Sequence, residues 1–344
     1  MDSRKYGKSV GEVLKIKKDF FTKNGEMLAM SHSQADALLR QPKRTECKIC
    51  HEKIGTEPLY ESQRMKYFLC PRCGHVNSEF EDTDDFAEAV YITDSYECNY
   101  SEDDRAKYTT RRDNIYIPKA QFLIDSLKED GTALSEIKLL DDGAGSGYFV
   151  SAARKLGITD AQGIEISGAQ VEFANKMADS EILRQADPEK IAPIIKQTEC
   201  NTVSFIGVFE HITNLDEILG AIKDNLNIKF IYFSVPMFSM SCVLEAAHQN
   251  CYNRHAGGTH THLFQDSSIA YMASEIGFSE LKSWKFGSDM MDLYRMLCVS
   301  LEQNGQEKLR DYFAPKFMGM IDDLQLVVDK NEFASEIHMI LKRN

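Results

Sequence analysis

Leu139-Leu140-Asp141-Asp142-Gly143-Ala144-Gly145-Ser146-Gly147-Tyr148-Phe149-Val150 is the stretch whose reading decides the fold. With Ile137, its first residues are apolar enough for an interior parallel strand. Gly143, Gly145 and Gly147 lack a Cβ, so they take positive φ and let a ligand approach the backbone. Residues 148–156 have a helical pattern, with Ala152, Ala153 and Leu156 spaced to pack on a sheet and Gly157 as C-cap. Strand, glycine turn and helix start, in that order, predict an α/β fold. The N–H groups at such a helix start point into the turn.

A dinucleotide fingerprint, G-x-G-x-x-G, would need its last glycine where Tyr148 stands. The pattern present is Asp-x-Gly-x-Gly-x-Gly, led by Asp141. The next apolar run, 161–166, carries Glu165 near its end, and an acid at the tip of a second strand can accept both ribose hydroxyl hydrogen bonds. Together these segments resemble motif I and the following motif of the class I S-adenosylmethionine (SAM) methyltransferases. The resemblance implies a Rossmann-like class I methyltransferase fold with a mostly parallel seven-stranded sheet. It implies SAM as cofactor, held around Asp141, Gly143, Ala144, Gly145, Gly147, Glu165 and Ile166. Residues 181–187 read as a third strand ending at Asp187, which resembles the acid that contacts the adenine amino group in this family. The segment Val208-Phe209-Glu210-His211-Ile212-Thr213-Asn214 resembles the family's exit from the fourth strand. It adds Phe209 to the expected cofactor contacts. It also makes His211 either a general base, since imidazole titrates near neutrality, or a structural residue. Where the family usually has Asp at the start of that strand, Thr202 and Val203 stand here.

Composition narrows the function classes. The 344 residues carry a net charge of −13, with 43% hydrophobic and 27% charged residues. That fits a globular protein of two units, or one domain with additions. The acidic balance argues against a broad phosphate-binding face and so against nucleic acid as a partner. No apolar run is long enough to span a bilayer, and the Lys-rich first residues lack a signal core. The expectation is a cytoplasmic protein with no membrane partner.

Cys47-Lys48-Ile49-Cys50 and Cys70-Pro71-Arg72-Cys73 form two C-x-x-C knuckles at a zinc-ribbon spacing. Each knuckle presents two thiolates on one side of a tight turn, and two such turns complete a tetrahedron. With four Cys the metal site is closed, so the expected role is structural. Short strands are expected at 59–60 and 67–69. The alternative, disulfides or free thiols, fits a cytoplasmic chain less well.

The remaining segments are read more coarsely. The predicted organisation is an N-terminal extension at 1–45, a zinc ribbon at 46–80, a linker and helical lid at 81–134, and the SAM-binding domain with a C-terminal extension at 135–344. Residues 10–17 suggest a short basic helix, and 31–39 another capped by Ser31. The aromatic series Phe86, Tyr91, Tyr96, Tyr100, Tyr108 and Tyr116 either packs the ribbon or closes over cofactor and substrate. Arg254 to Ser268 contains His255, His260 and His262, read as base, structural or metal-binding residues. Residues 300–330 look helical, and alternation at Ile337, Met339 and Leu341 predicts a closing strand.

A cysteine-rich N-terminal module joined to a SAM domain resembles the sugar C-methyltransferases of deoxysugar and surface-polysaccharide biosynthesis. The resemblance covers about residues 46–340. It implies proton abstraction beside a 4-keto group, giving an enolate that takes the methyl group. His211, His260 and His262 are then the candidate bases, with Tyr96 or Tyr100 assisting. The histidine signature associated with that family is incomplete here, which leaves C-, N- and O-methylation open. The expected acceptor is a nucleotide-linked sugar. The rival readings are an RNA methyltransferase with a zinc-ribbon contact and a non-catalytic zinc-ribbon adaptor. No spacing reports the oligomeric state.

Overall fold

The computed structural model describes residues 3–9, 23–91, 105–257 and 260–344. Its strands are β1 (Arg4–Tyr6), β2 (Tyr60–Ser62), β3 (Met65–Leu69), β4 (Val76–Ser78), β5 (Lys138–Asp142), β6 (Asp160–Glu165), β7 (Leu183–Gln185), β8 (Thr202–Ile206), β9 (Phe230–Pro236), β10 (His262–Leu263), β11 (Phe278–Phe286) and β12 (Glu336–Arg343). They form an eight-stranded sheet, ordered β1-β11-β12-β9-β8-β5-β6-β7, and a four-stranded sheet, ordered β10-β4-β3-β2. The strands from β9 to β7 in that order all pair in parallel. This is the expected Rossmann-like α/β sheet with one strand more than seven. The extra strand comes from the N-terminal extension, where β1 pairs in parallel with β11 through Tyr6 and Lys285.

The chain divides into two compact units that are not continuous in sequence. One comprises 1–90, 235–272 and 283–338; the other comprises 91–234, 273–282 and 339–344. Residues beyond β9 that the sequence reading kept with the SAM domain thus cluster with the cysteine-rich module.

In the second unit the strand order reverses between β5 and β8, and in open α/β sheets ligands bind at such a switch point, outside the carboxyl ends of the strands. Leu139, Leu140, Val203 and Phe205 are buried there, as continuous apolar strands of a two-sided sheet should be. The helix Tyr148–Lys155 starts directly after the glycine turn and buries Val150, Ala152 and Ala153. Before β5 the chain is helical over Arg105–Arg111, makes a π-helical turn over Arg112–Tyr116, and continues as an α-helix over Ile117–Glu129. The strand read at 181–187 is shorter, at Leu183–Gln185, and the next lies at Thr202–Ile206.

The first unit contains the small sheet. Its core joins Met65, Tyr67 and Val76 of that sheet with Leu38, Phe86, Cys242, Ala256 and Leu263. β10, from the histidine segment, adds to the sheet antiparallel to β4, pairing His262 with Asn77. The helix expected to begin at Ser31 runs over Asn24–Leu38 instead, and the Ser31 hydroxyl donates back to the Met27 carbonyl (3.0 Å), as a mid-helix serine does. The basic helix read at 10–17 lies outside the described residues. The 300–330 region is helical over Asp289–Gln303, Glu307–Met318 and Ile321–Lys330.

Candidate active site and cysteine cluster

Three glycines shape the turn after β5. Gly143, Gly145 and Gly147 have φ of 62°, 53° and 71°, the left-handed region that side chains disfavour. Gly147 is the N-cap of the following helix. A Cβ there would meet Ala174 Cβ at 2.9 Å and Ile182 Cδ1 at 3.0 Å. Gly147→Ala is therefore expected to destabilise the protein by about 2 kcal/mol. The urea midpoint measures this, and an unshifted midpoint would refute the packing argument. Ala144 N–H donates to the Ile164 carbonyl (3.1 Å), tying the turn to β6.

Glu165 lies at the end of β6, buried beside this turn. Its Oε2 accepts from Gly145 N–H (2.8 Å) and its Oε1 from Ser167 N–H (3.0 Å). The carboxylate is thus held by two amides, and each oxygen keeps lone-pair capacity for a further donor. Ser167 caps the helix Gly168–Ala178, as its sequence position suggested.

Asp141 and Asp142, successive residues of β5, are 2% and 3% exposed. Asp141 Oδ1 accepts from the Ser204 hydroxyl (2.5 Å). Burial pushes its carboxyl up to about 8 against that bond, with Asp142 and Glu165 adding repulsion. Burial likewise raises Asp142 to about 7, against the Gly143 amide. Among the described residues Asp142 Oδ1 has no hydrogen-bond partner. An orphaned acid in this position suits a cation. Sequence reading passed over Asp142, because it occupies a variable position of the motif.

The other expected contacts divide. Ile166 is 46% exposed beside Glu165, and Asp187 lines an open pocket of about 270 Å³ with Arg184, Gln185, Ala186, Lys190 and Ile194. Phe209 is fully buried, stacked on Phe205 (centroids 4.4 Å apart) and packed against Phe233. Its ring packs in the core of this unit. His211 sits on the short turn Phe209–His211 after β8, partly exposed, with Nε2 3.9 Å from Glu210 Oε1.

Of the aromatic series, Tyr108 and Tyr116 both stack on Tyr148, the first residue of the helix after the glycine turn. The Tyr108 hydroxyl donates to the Ser146 carbonyl (3.2 Å), so this cluster braces the turn. Burial pushes the Tyr108 phenol up to about 12. Tyr96 and Tyr100 lie outside the described residues.

In the first unit the sulfurs of Cys47, Cys50, Cys70 and Cys73 all lie within 4.8 Å of one another, and all four residues are buried. None is in a disulfide. Cys47–Cys73 and Cys50–Cys70 sulfurs are 3.6 and 3.4 Å apart, near the ~3.8 Å edge of a tetrahedron with zinc–sulfur bonds of ~2.3 Å. The knuckles match: His51 N–H donates to Cys47 O and Gly74 N–H to Cys70 O, each at 3.0 Å. His51 (φ 56°) and Gly74 (φ 73°) take the same left-handed conformation.

The histidines of the Arg254–Ser268 segment have different surroundings. His262 is fully buried in β10, and its Nδ1 shares a hydrogen bond with His75 Nε2 (2.8 Å). Its ring packs against His75 and Phe264. His260 is partly exposed, with Nδ1 3.2 Å from the His255 carbonyl. Ser268 does not cap the helix that follows. That helix starts at Asp266, and the Ser268 hydroxyl donates to the Gln265 carbonyl (2.9 Å).

A family profile described as methyltransferase domain matches residues 108–282, just over half of the chain. No curated protein matches. Similar solved structures include magnesium protoporphyrin IX methyltransferase from Synechocystis PCC 6803 with bound SAH. It is 12% identical, over 75% of this chain and 97% of that one, with a TM-score of 0.46. The plantazolicin methyltransferase BpumL, in complex with a monoazolic desmethylPZN analog and SAH, is 15% identical over 75% and 93%, at 0.44. A SAM-dependent methyltransferase from Archaeoglobus fulgidus is 13% identical over 65% and 94%, at 0.41. The chain belongs to the methyltransferase-domain family.

Proposed function

We propose that the chain methylates a small polar acceptor, a nucleotide-linked sugar, with SAM held at the glycine turn. The observation that carries the cofactor half is Glu165, gripped by Gly145 N–H at the carboxyl end of a parallel strand. In this reading Glu165 accepts the ribose hydroxyls, and Gly143, Ala144, Gly145 and Gly147 line the amino-acid moiety with open backbone. Ile166 supplies apolar contact to the adenine and Asp187 accepts from its amino group. Asp141 and Asp142 face the ammonium. SAM, when bound, supplies the electrophilic methyl group. His211 and His260 are the candidate proton acceptors for the acceptor's hydroxyl, amine or carbon acid. Cys47, Cys50, Cys70 and Cys73 hold a structural Zn²⁺. The sugar acceptor rests on the resemblance of the cysteine module joined to a SAM domain to the sugar C-methyltransferases.

Isothermal titration with S-adenosylhomocysteine tests the cofactor. Transfer of labelled methyl from SAM to a panel of nucleotide sugars, with RNA beside them, tests the acceptor. Binding with transfer to RNA alone would overturn the sugar reading. No binding by folded protein would leave a non-catalytic adaptor.

A pH dependence follows. Asp141 and Asp142, raised to about 8 and about 7, are largely neutral at pH 6. A cationic ligand favours their ionised forms, so binding releases protons and affinity for SAM rises with pH, levelling off above the higher value. Between pH 6 and 8 the gain should be about tenfold, the limit being tenfold per pH unit per proton released. Asp142→Asn should flatten the curve. A flat wild-type curve in titration calorimetry would remove both acids from the cofactor site.

A further inference from the structure

We infer that Glu245 is a positioning residue that presets His260 as a proton acceptor, acting through the peptide joining His255 to Ala256. The inference rests on the proposed role of His260 and names what orients it.

Glu245 lies on the helix Met240–Ala247 and is fully buried. Its carboxylate accepts from three successive backbone amides: Oε1 from Arg254 N–H (2.6 Å) and His255 N–H (2.9 Å), and Oε2 from Ala256 N–H (3.0 Å). Amides curled around one anion form a nest, and a nest fixes the plane of each peptide it uses. The peptide joining His255 to Ala256 gives its N–H, that of Ala256, to Glu245 Oε2 and its carbonyl, that of His255, to His260 Nδ1 (3.2 Å). A carbonyl oxygen only accepts, so Nδ1 carries the proton and Nε2 the lone pair when the ring is neutral. A general base needs that lone pair.

The rest of the segment is held as firmly. His260 N–H donates to Gly257 O (3.0 Å) and Gly257 N–H to His260 O (3.1 Å), with Gly257 at φ 93°. Upstream, the Arg254 guanidinium gives two hydrogen bonds to Asp292, each 3.0 Å. Burial alone would raise the Asp292 carboxyl, but Arg254 and His255 beside it hold it well below the usual range, so this anchor stays ionised. Burial raises the Glu245 carboxyl, with Asp292 adding repulsion, while His255 and the Arg254 and Ala256 amides act in the opposite direction. A brace needed only for folding would not require one of its peptides to bond an imidazole.

The test is histidine ¹⁵N NMR on the full zinc-loaded chain, with His260 assigned from the signal lost in His260→Gln. Wild type should show His260 as the Nδ1–H tautomer. In Glu245→Gln the side-chain NH₂ faces an amide donor, so the nest opens and His260 should average between tautomers. Glu245→Asp, which keeps the charge but falls short, should lie between. Carbethoxylation of His260, located by peptide mass spectrometry, should slow in the same order. Zinc content and S-adenosylhomocysteine binding report that the variants are folded. An Nε2–H tautomer in wild type overturns the inference even where no variant folds. An unchanged tautomer in folded Glu245→Gln overturns it as well. Failure of the methyl-transfer reading is a separate outcome: no cofactor binding, with the tautomer as stated.

Discussion

Replacing Glu165 with alanine should lower the affinity for S-adenosylhomocysteine about 100-fold, equivalent to ~2.7 kcal/mol. The size follows from what the carboxylate does. It accepts the Gly145 and Ser167 amides and, in the proposed complex, the ribose hydroxyls. Hydrogen bonds to a charged group are worth about 1.5–3 kcal/mol each, and removing the acceptor also leaves the Gly145 N–H without its partner. Glu165→Gln keeps the shape but turns one acceptor edge into a donor, so a loss of about tenfold is expected. Calorimetric titration at fixed pH measures both. Equal affinity in wild type and Glu165→Ala would mean that the cofactor does not use the end of β6, and the site assignment would fall with it.

Cys70→Ser should take the zinc content of the purified protein from about one per chain to near zero and open the small sheet. The small sheet has four short strands, and strands this short bury little apolar surface on their own. The free energy of binding a structural zinc, about 10–16 kcal/mol in small zinc modules, is then most of the folding free energy. Without it, Tyr67, Val76 and Met65, each fully buried, lose the clamp that keeps β3 and β4 in register. Limited proteolysis should cut first between residues 41 and 80. Cys200→Ser, a buried cysteine outside the cluster, is the control and should leave zinc content unchanged. Metal analysis showing no zinc in wild type, with the ribbon still protease-resistant, would refute the structural-metal reading.

Much of the fold was legible in order along the chain. Asp141 to Gly147 with Tyr148 onward announced strand, turn and helix, because buried strands are continuously apolar and a left-handed turn calls for glycine. The same local logic found the Ser167 cap and the C-x-x-C pairs, whose chemistry lies within four residues. What sequence could not report was partnership between distant segments. Ser204 reaches Asp141 across two strands, and Tyr108 reaches the Ser146 carbonyl, through pairings that only the sheet order creates. His262 and His260 are two residues apart and look equivalent in sequence. Tertiary structure separates them: β10 seals His262 beside His75, while the Glu245 nest holds the peptide that orients His260. The burial of Phe209 is of the same kind, since it depends on Phe205 and Phe233, not on neighbours in the motif. Sequence by itself determined the backbone chemistry of the turn and the thiolate set. Tertiary structure decided burial, and burial decides which titratable or aromatic side chain is core and which can meet a ligand, because desolvation depends on everything packed around a group.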